Sequence, residues 1–180
     1  MNKNNLHKEL FSNLKTTGAI TFSSKSLVNK MLSYADFKGA KVIVELGGGD
    51  GSITRGIIKK MDVDAHLYVF EISQAFCNAM EKEFNSANIH IICDSASNID
   101  LYLAGGKADL IFSSLPFSLI ERHEREKICL ASKTNLSVQG KFIQICYSYL
   151  LKFQFAKYFP NIHTSFTFKN FPPAFIIICN

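Results

Sequence analysis

At 180 residues, 47% of them apolar and 12% aromatic, the chain has material for one buried core and a composition that excludes disorder. No apolar stretch approaches the roughly 20 residues of a bilayer-spanning helix, so no span is expected. The net charge of +5 is uneven: residues 1 to 40 hold six lysines against Glu9 and Asp36, leaving +1 for residues 41 to 180. Such a basic segment suits phosphates, whether of nucleic acid or of anionic lipid, although a solvated basic face is the commoner explanation of such a charge balance.

In chain order, residues 3–15 predict an amphipathic helix with Leu6, Leu10, Leu14 and Phe11 on one stripe and Lys8 and Lys15 opposite. It suits a membrane surface or packing on its own domain. The lysines there precede no apolar h-region, so no secretory signal is expected. Gly18-Ala19-Ile20-Thr21-Phe22 leads to a second helix, capped by Ser23 or Ser24, that presents Leu27, Val28, Met31 and Leu32 to the core. From there strands at 41–46, 67–71, 88–93, 108–113, 140–147, about 163–169 and 174–179 alternate with helices at about 52–60, 73–85, 96–103, 118–136 and 149–158. This alternation predicts a doubly wound α/β sheet with right-handed crossovers. Asn170 to Pro173 is too short for a parallel crossover, so the last two strands must form an antiparallel hairpin. No repeat or linker interrupts the pattern, and residues 1–180 read as one domain: a helical segment at 1–40 and a core at 41–180.

The chemistry concentrates at strand ends. Val42-Ile43-Val44-Glu45-Leu46 breaks into Gly47-Gly48-Gly49-Asp50-Gly51-Ser52, a buried strand entering a turn whose backbone can approach a ligand. A dinucleotide fingerprint needs glycine at position 52, and a pyrophosphate would meet Glu45 with like charge; a ligand bearing an ammonium group suits Glu45 better. Glu71 closes the second strand, where a carboxylate can accept both ribose hydroxyls, with Ile72 beside it. Asp94 closes the third strand, followed by Ser95, and suits an adenine amino group or a helix cap. Ser113-Ser114-Leu115-Pro116-Phe117 closes the fourth and Tyr147 the fifth. Glu121 to Arg125 around His123 reads as a solvated helix face with charge pairs. His66, His90 and His163 fall at strand edges without metal-ligand spacing, and the five cysteines read as buried reduced thiols of a cytosolic protein.

The E-x-G-x-G-x-G run resembles motif I of the class I S-adenosylmethionine-dependent methyltransferases. That resemblance implies a Rossmann-like fold with a seven-stranded, mostly parallel sheet and an antiparallel last strand, preceded by N-terminal helices. It implies S-adenosylmethionine as cofactor, S-adenosylhomocysteine as product and no metal, with Glu45, Gly47, Gly49, Gly51, Glu71, Ile72, Asp94, Ser95 and Ser113 in the cofactor site. Adenine-N6 methyltransferases carry an Asn-Pro-Pro-Tyr-type motif after the fourth strand. Here Ser114 stands for the Asn and Phe117 for the Tyr, which argues against a nucleobase acceptor.

Gly18-Ala19-Ile20 with Ser23-Ser24, Glu45-Leu46-Gly47, Glu71, Asp94, Ser113-Ser114-Leu115-Pro116, Gln144 with Tyr147, and Asn170-Phe171-Pro172-Pro173-Ala174 resemble, in order, the bacterial phospholipid N-methyltransferases. Phe22, Asp50 and Ser148 depart from that pattern. The resemblance implies N-methylation of phosphatidylethanolamine by a cytoplasmic monomer bound peripherally to the inner face of the membrane, with Ser113, Ser114, Pro116 and Tyr147 around the acceptor. An RNA methyltransferase of the rRNA adenine dimethyltransferase type, or one for a small soluble amine, is the alternative.

Overall fold

The structure is a computed structural model describing residues 24–170 and 172–180. Helix 3–15, the Gly18–Phe22 link and Ser23 lie outside the described residues. Helix α1 (Lys25–Leu32) starts because the Ser24 hydroxyl accepts the Leu27 N–H at 3.2 Å, and it buries Leu27, Val28, Met31 and Leu32, the four positions the periodicity predicts. Strand β1 (Val42–Leu46) and helix α2 (Ser52–Ile58) follow, then β2 (His66–Phe70), α3 (Gln74–Glu83) and β3 (Ile89–Ile92). A 3-10 turn (Ala96–Asn98) leads into α4 (Ile99–Leu103), β4 (Ala108–Ser113), α5 (Arg122–Asn135), β5 (Leu136–Cys146), α6 (Leu151–Phe155), β6 (Ile162–Thr167) and β7 (Ala174–Cys179).

The seven strands form one sheet in the order β3-β2-β1-β4-β5-β7-β6. Strands β1 to β5 pair in parallel, while β7 runs antiparallel to both β5 and β6. This is the class I methyltransferase-type arrangement, with the reversed strand inserted before the edge. Period-two alternation fills both faces. Ile43, Leu67, Val69, Phe112 and Ile143 pack under α1, α2 and α3, while Val44, Leu46, Phe70, Ile111 and Phe142 pack against α4, α5 and α6.

The last helix is shorter than expected, Leu151–Phe155 rather than about 149–158, several strand ends shift by one or two residues, and three differences have a visible cause. Helix α5 begins at Arg122 rather than 118 because Pro116 to Leu119 closes a turn of its own, with the Leu119 N–H on the Pro116 carbonyl at 2.8 Å. Strand β5 begins at Leu136 rather than 140 because Ala108 pairs with Leu136 and Leu110 with Lys141, so the intervening residues bulge out and Val138 stands fully exposed. Cys93 is exposed, because β3 ends one residue before it; the other four cysteines are buried, and all five are free.

Candidate active site

The carboxyl ends of β1 and β4 lie side by side, Leu46 opposite Ser113, and two turns meet there. After β1, the N–H groups of Gly47 and Gly48 both donate to the Phe70 carbonyl, at 2.8 and 3.1 Å, which ties the glycine turn to the end of β2. Gly47 sits at φ +83°, and a side chain there would meet Leu115 Cδ2 at 3.1 Å and Ser114 Oγ at 3.3 Å. Glycine is needed for the turn and for the approach of the loop after β4. Gly51, at φ +76°, caps α2, and a Cβ there would meet the Phe84 ring at 2.9 Å.

Glu45 points to the α2 face of the sheet and is wholly buried. Its Oε2 accepts from Thr54 Oγ1 at 2.7 Å, while Oε1 has no partner among the described residues. Burial drives its pKa up to about 8; the Thr54 bond pulls the other way, and the Glu71 and Asp50 carboxylates add to the rise. Near neutral pH this carboxyl keeps its proton unless a cation meets it. Thr54 was not singled out in the sequence; a hydroxyl at a buried position of α2 is its only signal.

Glu71 is 5% exposed and holds three backbone N–H groups: Gly49 on Oε2, and Ile72 and Ser73 on Oε1, each at 2.9 Å. Burial raises its pKa and these three donors lower it. A carboxylate offers about four lone-pair positions, so about one remains for a ligand hydroxyl. At β3, Asp94 accepts from the Ser95 N–H at 2.7 Å, from Asn98 Nδ2 at 3.0 Å on both oxygens, and from the Tyr102 hydroxyl at 2.9 Å. Burial works against its charge, but these bonds hold its carboxyl below the usual range. The cap of the following turn is Ser95 rather than Asp94, with its Oγ accepting the Ser97 N–H at 3.2 Å.

Ser95 and Ser97 also donate to Glu124 Oε1, at 2.6 and 2.8 Å, which ties α5 to this edge. The run Glu121 to Arg125 is therefore not a purely solvated face. Arg122 pairs outward with Glu126 at 2.9 Å, but Glu124 turns in, and its two serine bonds hold its pKa low against partial burial.

In the loop after β4, Ser114 donates its hydroxyl to the Gly47 carbonyl at 2.8 Å, and its N–H bonds the Leu46 carbonyl at 3.0 Å. Ser113 is wholly buried, and its Oγ accepts the Leu115 N–H at 3.4 Å. Gln144, opposite Ser113 on β5, donates Nε2 to the carbonyls of Leu115, at 3.0 Å, and Ile145. Pro116 is half-buried, and Phe117 is 1% exposed, edge-on to Phe155 with centroids 5.1 Å apart. The fold thus joins the glycine turn, Glu71 and the Ser113–Pro116 loop through direct bonds. Tyr147 lies one residue past β5 and is 43% exposed.

Comparison with known proteins bears on this site. The family described as "Methyltransferase domain" matches residues 43–140, more than half of the chain. This chain belongs to that family. The methyltransferase is 26% identical over 148 residues to an ornithine lipid N-methyltransferase of Singulisphaera acidiphila, covering 79% of this chain and 77% of that protein. It is 30% identical over 107 residues to ribosomal RNA small subunit methyltransferase A of Mycoplasma capricolum subsp. capricolum, covering 57% of this chain but only 39% of that protein. Its fold resembles the Thermus thermophilus 16S rRNA N2 G1207 methyltransferase, solved in complex with AdoMet and guanosine, with TM-score 0.68 and 13% identity over 89% of this chain and 43% of that one.

S-adenosylmethionine is the cofactor of this methyltransferase. The residues present fit it: Glu45 Oε1, a buried acceptor without a donor among the described residues, matches an ammonium group, and the remaining acceptor position on Glu71 matches a hydroxyl. Among the described residues no group of three or more His, Cys, Asp or Glu side chains is placed to hold a metal ion, and no helix is long and apolar enough to cross a membrane.

Proposed function

We propose that this methyltransferase N-methylates the amine of a phospholipid head group, phosphatidylethanolamine above all, as a cytoplasmic monomer working peripherally on the inner face of the membrane. The observation that carries the reading is the loop after β4. An adenine acceptor needs a carboxamide to pair with its edge and an aromatic face to stack on it. Here Ser114 offers one hydroxyl, already given to Gly47, and the Phe117 ring is packed in the core. The lipid-acting relative also aligns over most of its own length, whereas the rRNA-acting one aligns over less than half.

In this reading Glu45 meets the ammonium of the cofactor, the turn of Gly47, Gly49 and Gly51 receives its chain, Glu71 with Ile72 takes the ribose, and Asp94 with Ser95 takes the adenine, whose amino group replaces one of the bonds Asp94 accepts from Asn98 or Tyr102. S-adenosylmethionine supplies an electrophilic methyl group on a sulfonium. What remains for the chain is to present a neutral amine lone pair in line with it. Ser113, Ser114 and Gln144 fix the Ser114-Leu115-Pro116 backbone from three sides; the Leu115 and Pro116 carbonyls already accept protein donors, so the Ser114 carbonyl is the acceptor this loop offers an amine N–H. A primary amine is protonated at neutral pH, and we assign Tyr147, just past the end of β5, to take that proton or relay it.

The test incubates purified protein and methyl-labelled S-adenosylmethionine with phosphatidylethanolamine vesicles, with RNA and with a panel of small amines. Label is expected in the lipid. Equal or faster labelling of RNA or of a soluble amine overturns the reading.

A further inference from the structure

The carboxyl edge of the sheet continues past the site into an exposed aromatic ridge. Cys146 at the end of β5 pairs with Phe175 on β7, and Phe175 with Phe166 near the end of β6, so these ends rise on the same side as Leu46 and Ser113. Phe168 is 80% exposed and meets Phe166 edge-on at 4.5 Å. Phe166 touches Phe175 at 4.7 Å, and Phe175 touches Tyr149 at 5.6 Å. Lys152 lies over the Tyr149 ring at 3.9 Å and over Phe153, 59% exposed, at 4.9 Å. Contiguous exposed apolar surface of this kind marks an interaction face rather than scattered surface residues.

Its charge has one sign. From residue 127 to 180 the chain holds six lysines and no Asp, Glu or Arg. Lys30 reaches from α1 to the Phe166 carbonyl at 2.7 Å, and with Lys169 it lines a groove of about 390 Å³ beside Phe166 and Phe168. Apolar side chains ringed by lysines match an anionic bilayer surface, where rings enter the head-group boundary and ammonium groups stay with the phosphates. RNA is matched less well. Phe166 and Phe168 pack at 86° to each other and leave no parallel slot for a base.

We propose that Phe153, Phe166 and Phe168 with Lys30, Lys152 and Lys169 form a docking face for anionic phospholipid membranes, which seats the carboxyl edge of the sheet against the bilayer. It extends the lipid-methylation reading, yet rests on observations outside the acceptor loop. Its test therefore measures binding without cofactor: co-sedimentation of the full chain with vesicles of phosphatidylglycerol and of phosphatidylcholine. Wild type should favour phosphatidylglycerol and lose binding as salt rises. Phe168→Ser, at a position too exposed to disturb the core, should lower partitioning about tenfold with an unchanged thermal midpoint. Lys169→Gln should lower it about fivefold on phosphatidylglycerol and hardly at all on phosphatidylcholine.

The proposal is overturned if wild type binds neither vesicle, if both variants bind as wild type does, or if Phe168→Ser abolishes RNA binding or self-association while vesicle binding persists. Failure of the lipid-acceptor reading looks different: vesicles bind through Phe168 while label enters RNA or a soluble amine. If label enters lipid dispersed in detergent and Phe168→Ser leaves vesicle binding intact, the acceptor reading stands and the docking face falls.

Discussion

At pH 8 Glu45→Gln should move stability and cofactor affinity in opposite directions, and the structure sets the size of both. In the folded chain the Glu45 pKa stands at about 8 against an ordinary 4.5. A carboxyl raised in this way holds a proton that the unfolded chain has already lost, so stability falls as pH climbs from about 4.5 to 8 and levels above that. Three and a half units at about 1.4 kcal/mol each put the loss by pH 8 on the order of 4 kcal/mol. Gln cannot ionise and still offers Thr54 an acceptor, but it buries an NH₂ group where Oε1 lacks a partner, at a cost of about 1–3 kcal/mol. The ligand-free variant should therefore melt below wild type at pH 5 and above it at pH 8. The crossover should span several degrees, since about 1 kcal/mol moves the midpoint of a chain this size by about 2–4 °C.

Cofactor binding reverses the comparison. Losing a charge-assisted bond to an ammonium should cost about 1.5–3 kcal/mol, or roughly 10- to 150-fold in Kd. Calorimetry in buffers of different ionisation enthalpy should find wild type releasing close to one proton on binding at pH 7, and the variant releasing none. A wild-type midpoint that is flat from pH 5 to 8, together with equal destabilisation of Glu45→Gln at both ends, would refute the reasoning.

Three further outcomes follow from the same edge. Glu71→Ala leaves the N–H groups of Gly49, Ile72 and Ser73 without their acceptor and should weaken cofactor binding by at least tenfold, with calorimetry as the check. Gly51→Ala forces an L-residue to φ +76° and a Cβ within 2.9 Å of the Phe84 ring, so urea unfolding should show about 1–3 kcal/mol of destabilisation. Tyr147→Phe should lower the methylation rate while the Kd for S-adenosylmethionine stays within twofold of wild type; a matched loss of both would move Tyr147 from the acceptor to the cofactor.

What was legible in the sequence was what short-range physics sets. The Ser24 cap and the spacing of Leu27, Val28, Met31 and Leu32 specify α1 locally, and a connection too short for a parallel crossover, six residues between Thr167 and Ala174, forces the β6–β7 hairpin whatever lies around it. Strand β1 and its glycines were legible because so few residues tolerate φ near +80°. The bulge at Ser137 to Gly140 was not, because it compensates the register between β4 and β5, a pairing of distant segments. At the site, the acids at strand ends could be named from topology, but their partners could not. Thr54 under Glu45 and the two serines under Glu124 are contacts between elements, and no periodicity encodes them.

Charge along the chain follows a division of labour that the fold makes spatial. Residues 41 to 126 hold thirteen carboxylate side chains, Glu45, Glu71 and Asp94 among them, and none occurs after Glu126. In the sheet that sequence division becomes a left–right division, since β3-β2-β1 lie on one side of β4 and β5-β7-β6 on the other. A sulfonium cofactor carrying an ammonium group is attracted to the acidic half, and a phosphate-bearing surface to the basic half. The boundary between them is β4, whose end carries Ser113 to Pro116. In the proposed reading attraction from the two halves converges there, so the place where cofactor and acceptor would meet is set by the order of strands as much as by any single side chain.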